Sequence, residues 1–295
     1  MICKKEFHGI MLMIIAQMAF VVGWSGIKSI GQEMPLFEIV FFRSIISVII
    51  LAPMAHLRLR TFRGNDRLML FLRAFFGYIG MVLIFYAITK MELGNAVTLF
   101  NTLPIFVALL APLCLGEPFK KIQFLFVIIA FIGITIIIKP GTVMIGLPSI
   151  LALVAGLAGA IAMIALRKLG STDSPILVTL YFTAFGAIVS LPIAAWNFVW
   201  PDKNQWLIIS LVGISVTVAQ LLMAKAYKLA RAATIAPFGY TFVIGSYISG
   251  MIFFGELPDA LSAIGAAITV ACGVMIMLTA PKADCIPGGT PSVRA

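Results

Sequence analysis

Apolar runs, each about long enough to cross a bilayer, follow one another along this chain with only short polar breaks. A spanning helix takes about 20 predominantly apolar residues. On that template the sequence divides into about ten segments, at approximately 9–28, 35–55, 68–88, 95–115, 121–138, 146–166, 175–198, 205–224, 234–254 and 260–280. The links are short, and only "AHLRLRTFRGND" is strongly basic. Lys4 and Lys5 precede the first run as they would in a signal peptide. That run is long enough to span and lacks a small-x-small cleavage site, so it is expected to be retained as the first transmembrane helix.

The polar breaks also order the chain across the membrane. If every segment spans, one side holds Lys4, Lys5, Arg58, Arg60, Arg63, Arg67, Arg73, Lys120, Lys121, Arg167, Lys168, Lys225, Lys228, Arg231, Lys282 and Arg294. The other side holds only Lys28, Lys90, Lys139 and Lys203. Lys and Arg accumulate on the cytoplasmic side, so both termini are expected there, in a multi-pass protein of the bacterial inner membrane.

A phrase recurs at two of the breaks. "LCLGEPFKK" (Leu113–Lys121) returns as "IFFGELPDA" (Ile252–Ala260). Sliding the chain by the distance from Glu117 to Glu256 also brings Gly116 onto Gly255, Ala87 onto Ala226 and Asn101 onto Tyr240. Internal repetition of this kind is the trace of a duplicated transporter fold. The predicted fold is therefore an all-α membrane protein of about ten transmembrane helices in two five-helix repeats, 1–141 and 142–281, with a short tail at 282–295. Five crossings are odd, so the second repeat enters from the opposite side and the pair is inverted. Gly116 and Gly255 suit helix C-caps, and Glu117 and Glu256 suit a following first turn. The same residues, with Pro104, are the hinge or gate candidates.

Composition agrees with lipid as the main solvent. Hydrophobic residues make up 62% of the chain and charged residues 11%, against about 25% charge in soluble domains. Mean hydropathy is +1.12. The net charge of +10 then reports orientation, and no nucleic-acid partner is expected because no basic, aromatic-interleaved module is present. The cysteines, Cys3, Cys114, Cys272 and Cys285, form no C-x-x-C pair and read as apolar filler.

Four stretches together resemble the drug/metabolite transporter superfamily, in the branch with two EamA-type repeats. They are "GWSGIK" in helix 1, "FEIVFFRSIIS" in helix 2, "FYAITKMELGNAVTLFNTLPIFVALLAPLCLGEP", and "AKAYKLARAATIAPFGYTFVIGSYISGMIFFGELP". The resemblance spans nearly the whole chain. It implies ten helices, a central pocket between the repeats, and export or exchange of small metabolites by alternating access. One departure stands out: the position matching Pro104 is Val243, and Pro237 comes earlier.

Candidate chemistry is sparse. Arg43 lies inside helix 2, where a charge costs roughly 2.5–3.5 kcal/mol on insertion scales. It reads as an anchor for a substrate carboxylate or phosphate, as a structural tie to helix-end carbonyls or Glu38, or as a snorkelling side chain. Asn101 and Thr102 precede Pro104, whose ring excludes the bond to the Phe100 carbonyl and predicts a kink. With Tyr240, Tyr78, Gln220, Trp24 and Ser25 they are expected to line a substrate site; the alternative is interhelical hydrogen bonding. Small-residue stripes at Ala152, Gly156, Ala160 and at Ala263, Ala267, Ala271 predict close helix packing. The resemblance adds a homodimer contact through helix 10.

The aspartates fall in loops or the tail, His8 and His56 sit near cytoplasmic edges, and Glu38 is the deepest carboxylate. No catalytic residue, metal site or cofactor is expected, and the Walker A loop is missing. The leading reading is a secondary transporter for a small organic metabolite. A lipid or lipid-precursor flippase, with membrane lipid at the basic 58–67 loop, is the alternative. An intramembrane lipid-modifying enzyme comes after it, since no H-E-x-x-H or G-x-S-x-G motif occurs.

Overall fold

In lipid every backbone amide must be satisfied within the chain, and apolar runs of this length do so as helices. The computed structural model describes residues 4–59, 62–115, 121–138, 146–169, 172–196, 198–229 and 236–279. Every regular element among them is helical: α1 (Lys4–Ile30), α2 (Leu36–Arg58), α3 (Arg67–Lys90), α4 (Leu93–Phe100), α5 (Leu103–Leu115), α6 (Lys121–Ile138), α7 (Leu147–Leu169), α8 (Pro175–Trp196), α9 (Lys203–Leu229), a 3-10 turn (Ala236–Tyr240), α10 (Thr241–Phe254) and α11 (Ala260–Thr279). Among the described residues six helices are long and apolar enough to cross a membrane, and four shorter apolar helical stretches complete the expected set. Asp66 caps α3 by accepting from the Met69 amide at 3.0 Å. Pro175 starts α8, where its missing N–H costs nothing.

The links tie together at two ends. At one end the α2–α3 link meets the α7–α8 link, where the Asn65 amide donates to Asp173 Oδ1 at 2.9 Å. At the other, Lys28 near the end of α1 reaches the Met91 carbonyl just beyond α3 at 2.7 Å. The start of α1 therefore shares an end of the bundle with the finish of α7, and the two run in opposite directions. We refer to these as the basic end and the far end. The repeats are inverted, as the odd number of crossings requires.

Packing obeys the same symmetry. Helix α1 packs on α9, and its repeat counterpart α7 packs on α3. Helix α2 meets α9 as α8 meets α3, and α1 meets α10 as α7 meets α4 and α5. The pairs α2–α8, α4–α10 and α6–α11 each join counterparts. Exchanging the two halves preserves these principal pairings, whereas the α1–α3 and α3–α4 contacts and those of α11 with α4 and α5 have no counterpart of like extent among the described residues. Small residues permit the closest approaches, which drive helix association in lipid. A Cβ added at Gly133 of α6 would lie 2.8 Å from the Gly265 carbonyl oxygen of α11. Ala152, Gly156 and Ala160 are buried as expected of a packing stripe. On α11 the expectation is corrected: Ala263, Ala267 and Ala271 are exposed, and Ser262, Ala266 and Thr269 form the packed face. Spacing alone could not separate these two faces, because small residues occupy both.

Candidate functional site

The fourth apolar run is two helices rather than one. Helix α4 stops at Phe100 and α5 restarts at Leu103. At the break the Asn101 amide and side-chain amide both donate to the Val97 carbonyl, each at 2.9 Å. Thr102 Oγ1 donates to the Leu99 carbonyl at 2.7 Å. Pro104 falls in the first turn of α5, where no helical N–H is needed. The ninth run breaks at the matching position: the 3-10 turn ends at Tyr240 and α10 begins at Thr241, whose Oγ1 donates to the Phe238 carbonyl at 2.7 Å. The two threonines are repeat mates making the same bond. Although Val243 replaces the second proline, both helices are interrupted alike.

The interrupted helices, α1 and α3 close the far end in layers. Outermost, Lys28 forms an ion pair with Glu256 Oε1 while Glu256 Oε2 accepts from the Leu93 amide at 2.9 Å. Gly255, at φ +63°, ends α10 in the left-handed conformation, and the Glu256 amide returns to the Gly250 carbonyl at 3.0 Å. The glycine cap is as expected. Glu256, however, serves the N-terminus of α4 rather than that of the helix that follows it. A cleft of about 430 Å³ lined by Lys28, Gln32, Thr89, Lys90, Phe254 and Glu256 opens beside this pair.

Next inward, Tyr247 donates to Asn95 Oδ1 at 2.8 Å and Asn95 Nδ2 donates to Glu92 at 2.6 Å. Ser25 and Ser249 share a hydrogen bond at 2.6 Å. Beneath them Trp24 meets Phe242, Phe100 and Phe85, with ring centroids 4.8, 5.2 and 6.0 Å away. Such pairs each add about 0.5–1.5 kcal/mol beyond the area they bury.

A second group lies between α2, α3 and α8 and shares Phe85 with the first. Arg43 is 2% exposed. Its guanidinium carbon stands 5.7 Å from the Phe85 ring and 5.8 Å from the Phe182 ring. Its Nε and Nη2 are buried without a hydrogen-bond partner. Glu38 is not its counter-ion; that carboxylate accepts from the Val199 amide at 2.8 Å. Tyr78 hydrogen-bonds Ser190 at 3.0 Å between α3 and α8.

The expected site residues therefore fall into distinct settings. Trp24 and Ser25 belong to the far-end layers, and Arg43 and Tyr78 to the α2–α3–α8 group. Asn101 and Thr102 bond to their own helix carbonyls across the break. Gln220 is half-buried on α9. The Tyr240 ring lies against Gly273 of α11, its hydroxyl buried and unpartnered. Gly116 and Glu117 lie outside the described residues. Sequence reasoning passed over Lys28, Asn95, Tyr247, Ser249, Phe85 and Phe182. Lys28 carried one available signal: it follows Trp24 by one helical turn and so shares its face.

Two inverted, interdigitated five-helix halves with polar and aromatic groups converging between them define a multi-pass membrane transporter. The chain matches the EamA-like transporter family over residues 7–139 and again over 146–279, and it belongs to that family. It is 29% identical over 284 residues to an uncharacterized transporter of Helicobacter pylori, covering 92% of this chain and 95% of that one. It is 27% identical to the pseudopaline exporter of Pseudomonas aeruginosa, covering 90% and 94%. It is 25% identical to an S-adenosylmethionine uptake transporter of Rickettsia felis, covering 87% of each. A solved crystal structure with 17% identity superposes with a TM-score of 0.66 over 92% of this chain and 99% of the other, a likeness of fold. The protein is a transporter of this family, not an enzyme.

Proposed function

We propose that this protein is a secondary carrier that exports or exchanges a small organic metabolite across a bacterial inner membrane by alternating access, with both termini cytoplasmic. The observation that carries the reading is the packing symmetry. Exchanging the conformations of the two repeats would convert a far-end-closed state into a basic-end-closed state while keeping the principal helix pairings. Substrate binds between the repeats, beside Arg43, Tyr78 and Trp24. The separable groups of the far-end layers form one gate, and Gly255 and Glu256 belong to it.

The same sequence shift that pairs Glu117 with Glu256 pairs Arg167 with Lys28. Glu117 and Gly116 are accordingly assigned to the gate of the other state. The named relatives include an exporter and an uptake transporter, which supports metabolites as cargo. The excess of basic residues at one end supports the orientation.

The test is a thermal-stability screen of purified protein against amino acids, nucleosides, organic acids, sugar phosphates and cationic drugs, followed by proteoliposome flux with each hit. A ligand at about 100 times its Kd stabilises by roughly 2.7 kcal/mol. The carrier reading expects at least one hit that crosses the membrane. A folded sample with no hit and no flux would overturn it.

A further inference from the structure

The α2–α3–α8 group holds a second arginine. The Arg73 guanidinium carbon lies 4.7 Å from the Phe182 ring, so both cations share that one ring. Arg73 Nε is buried with no hydrogen-bond partner, as are Arg43 Nε and Nη2 and Ser44 Oγ. Neither arginine forms an ion pair among the described residues. Gly77 makes the arrangement possible. It lies one turn after Arg73, and a Cβ there would run into Arg73 Nη1 and come within 3.0 Å of the Phe182 ring. On the α8 side, Gly186 leaves comparable room, where a Cβ would stand 3.0 Å from Ser44 Oγ.

Two like charges gathered at one ring repel each other, and each guanidinium loses hydration at its buried N–H groups. A ring face attracts a guanidinium electrostatically but occupies none of its N–H donors. Arg43 Nε and Nη2 and Arg73 Nε thus remain free for an acceptor that brings negative charge. A guanidinium fork matches a carboxylate or phosphate in bidentate fashion. One monoanion would satisfy only one of the two.

Resting on the carrier reading above, we propose that the substrate is a small organic dianion, a dicarboxylate or a phosphate monoester. Arg43 and Arg73 hold one negative centre each, and Ser44 supplies a further hydrogen bond. Arg73 is a binding residue that the sequence pattern read only as an orientation charge.

The full-length protein would be tested with succinate, 2-oxoglutarate, glycerol 3-phosphate, butyrate, putrescine and neutral nucleosides. Readouts are the melting temperature in detergent and flux in proteoliposomes. At least one dianion is expected to stabilise and to cross, and butyrate to bind at least tenfold more weakly. Which dianion binds distinguishes the carboxylate from the phosphate source. Arg73→Gln should remove the dianion-over-butyrate preference, and Arg73→Lys should restore part of it. The wild type gives an independent arm that does not depend on variants folding: uptake of labelled dianion should be competed by other dianions and not by butyrate or putrescine. Hits confined to amines or neutral solutes, or a dianion preference unchanged in folded Arg73→Gln, would overturn the dianion site and leave the carrier intact. Absence of any hit and any flux would overturn both.

Discussion

At the scale of the residue, the far-end ion pair is the most exposed to test. Lys28 and Glu256 side chains are 12% and 19% accessible. That places the pair between exposed pairs worth about 0–1 kcal/mol and buried ones whose breakage costs about 3–5 kcal/mol. Glu256→Gln keeps an acceptor for the Leu93 amide and removes the charge. It should destabilise the detergent-solubilised protein by about 1–3 kcal/mol, read as a lowered melting temperature. Lys28→Met combined with Glu256→Gln should cost less than the sum of the two single changes. Strict additivity would show that the two groups do not interact. Residues of this kind differed in legibility. Arg43 stood out in the sequence because a charge inside an apolar run is costly wherever the chain folds. The Lys28–Glu256 pair did not, since each partner sits at the end of its own helix where a charge is cheap. Only the tertiary fold brings the two together.

At the scale of the element, the broken helix α4–α5 separates two explanations that look alike in sequence. Pro104 predicted a kink, and the break is there. Yet the bonds that stabilise it belong to Asn101 and Thr102, and the counterpart before Thr241 breaks with no proline at Val243. Pro104→Ala should therefore shift stability by less than about 1 kcal/mol, a proline in a first turn being nearly free to leave. Thr102→Val leaves the Leu99 carbonyl short of a donor and buries no new polar group. It should cost about 1–2 kcal/mol. Thermal melts of the two variants decide the matter, and a larger loss for Pro104→Ala would make the proline the cause. Gly156 supplies a control. A Cβ there would sit 2.9 Å from Thr102 Oγ1 and 3.0 Å from the Phe100 carbonyl oxygen. Gly156→Leu should force α7 away from the break and destabilise by about 1–3 kcal/mol or more. The run lengths and the repeat were readable because lipid thickness and chain duplication leave long-range marks in the sequence. The break itself was not, because apolar residues continue through it and a local threonine bond has no period.

At the scale of the whole molecule, alternating access requires the far-end layers to separate and re-form in every cycle. Ser25 of α1 and Ser249 of α10 offer a handle on that motion, since their hydroxyl oxygens stand 2.6 Å apart in the closed layer. With Cys3, Cys114, Cys272 and Cys285 replaced by alanine, Ser25→Cys together with Ser249→Cys places two thiols where a disulfide can form. Oxidation should lock the layer, and flux of any transported solute in proteoliposomes should fall at least tenfold and return on reduction. The single-cysteine proteins, treated identically, should transport undiminished, which separates the crosslink from the substitutions. The closed layer involves both repeats at once, α1 and α4 from the first and α10 from the second. A lock there therefore opposes their relative movement and leaves each half internally intact. Crosslinked protein that still transported at the full rate would mean that substrate passes without the far end opening between α1 and α10. The two-repeat exchange would then have to be abandoned for a route along another helix pair.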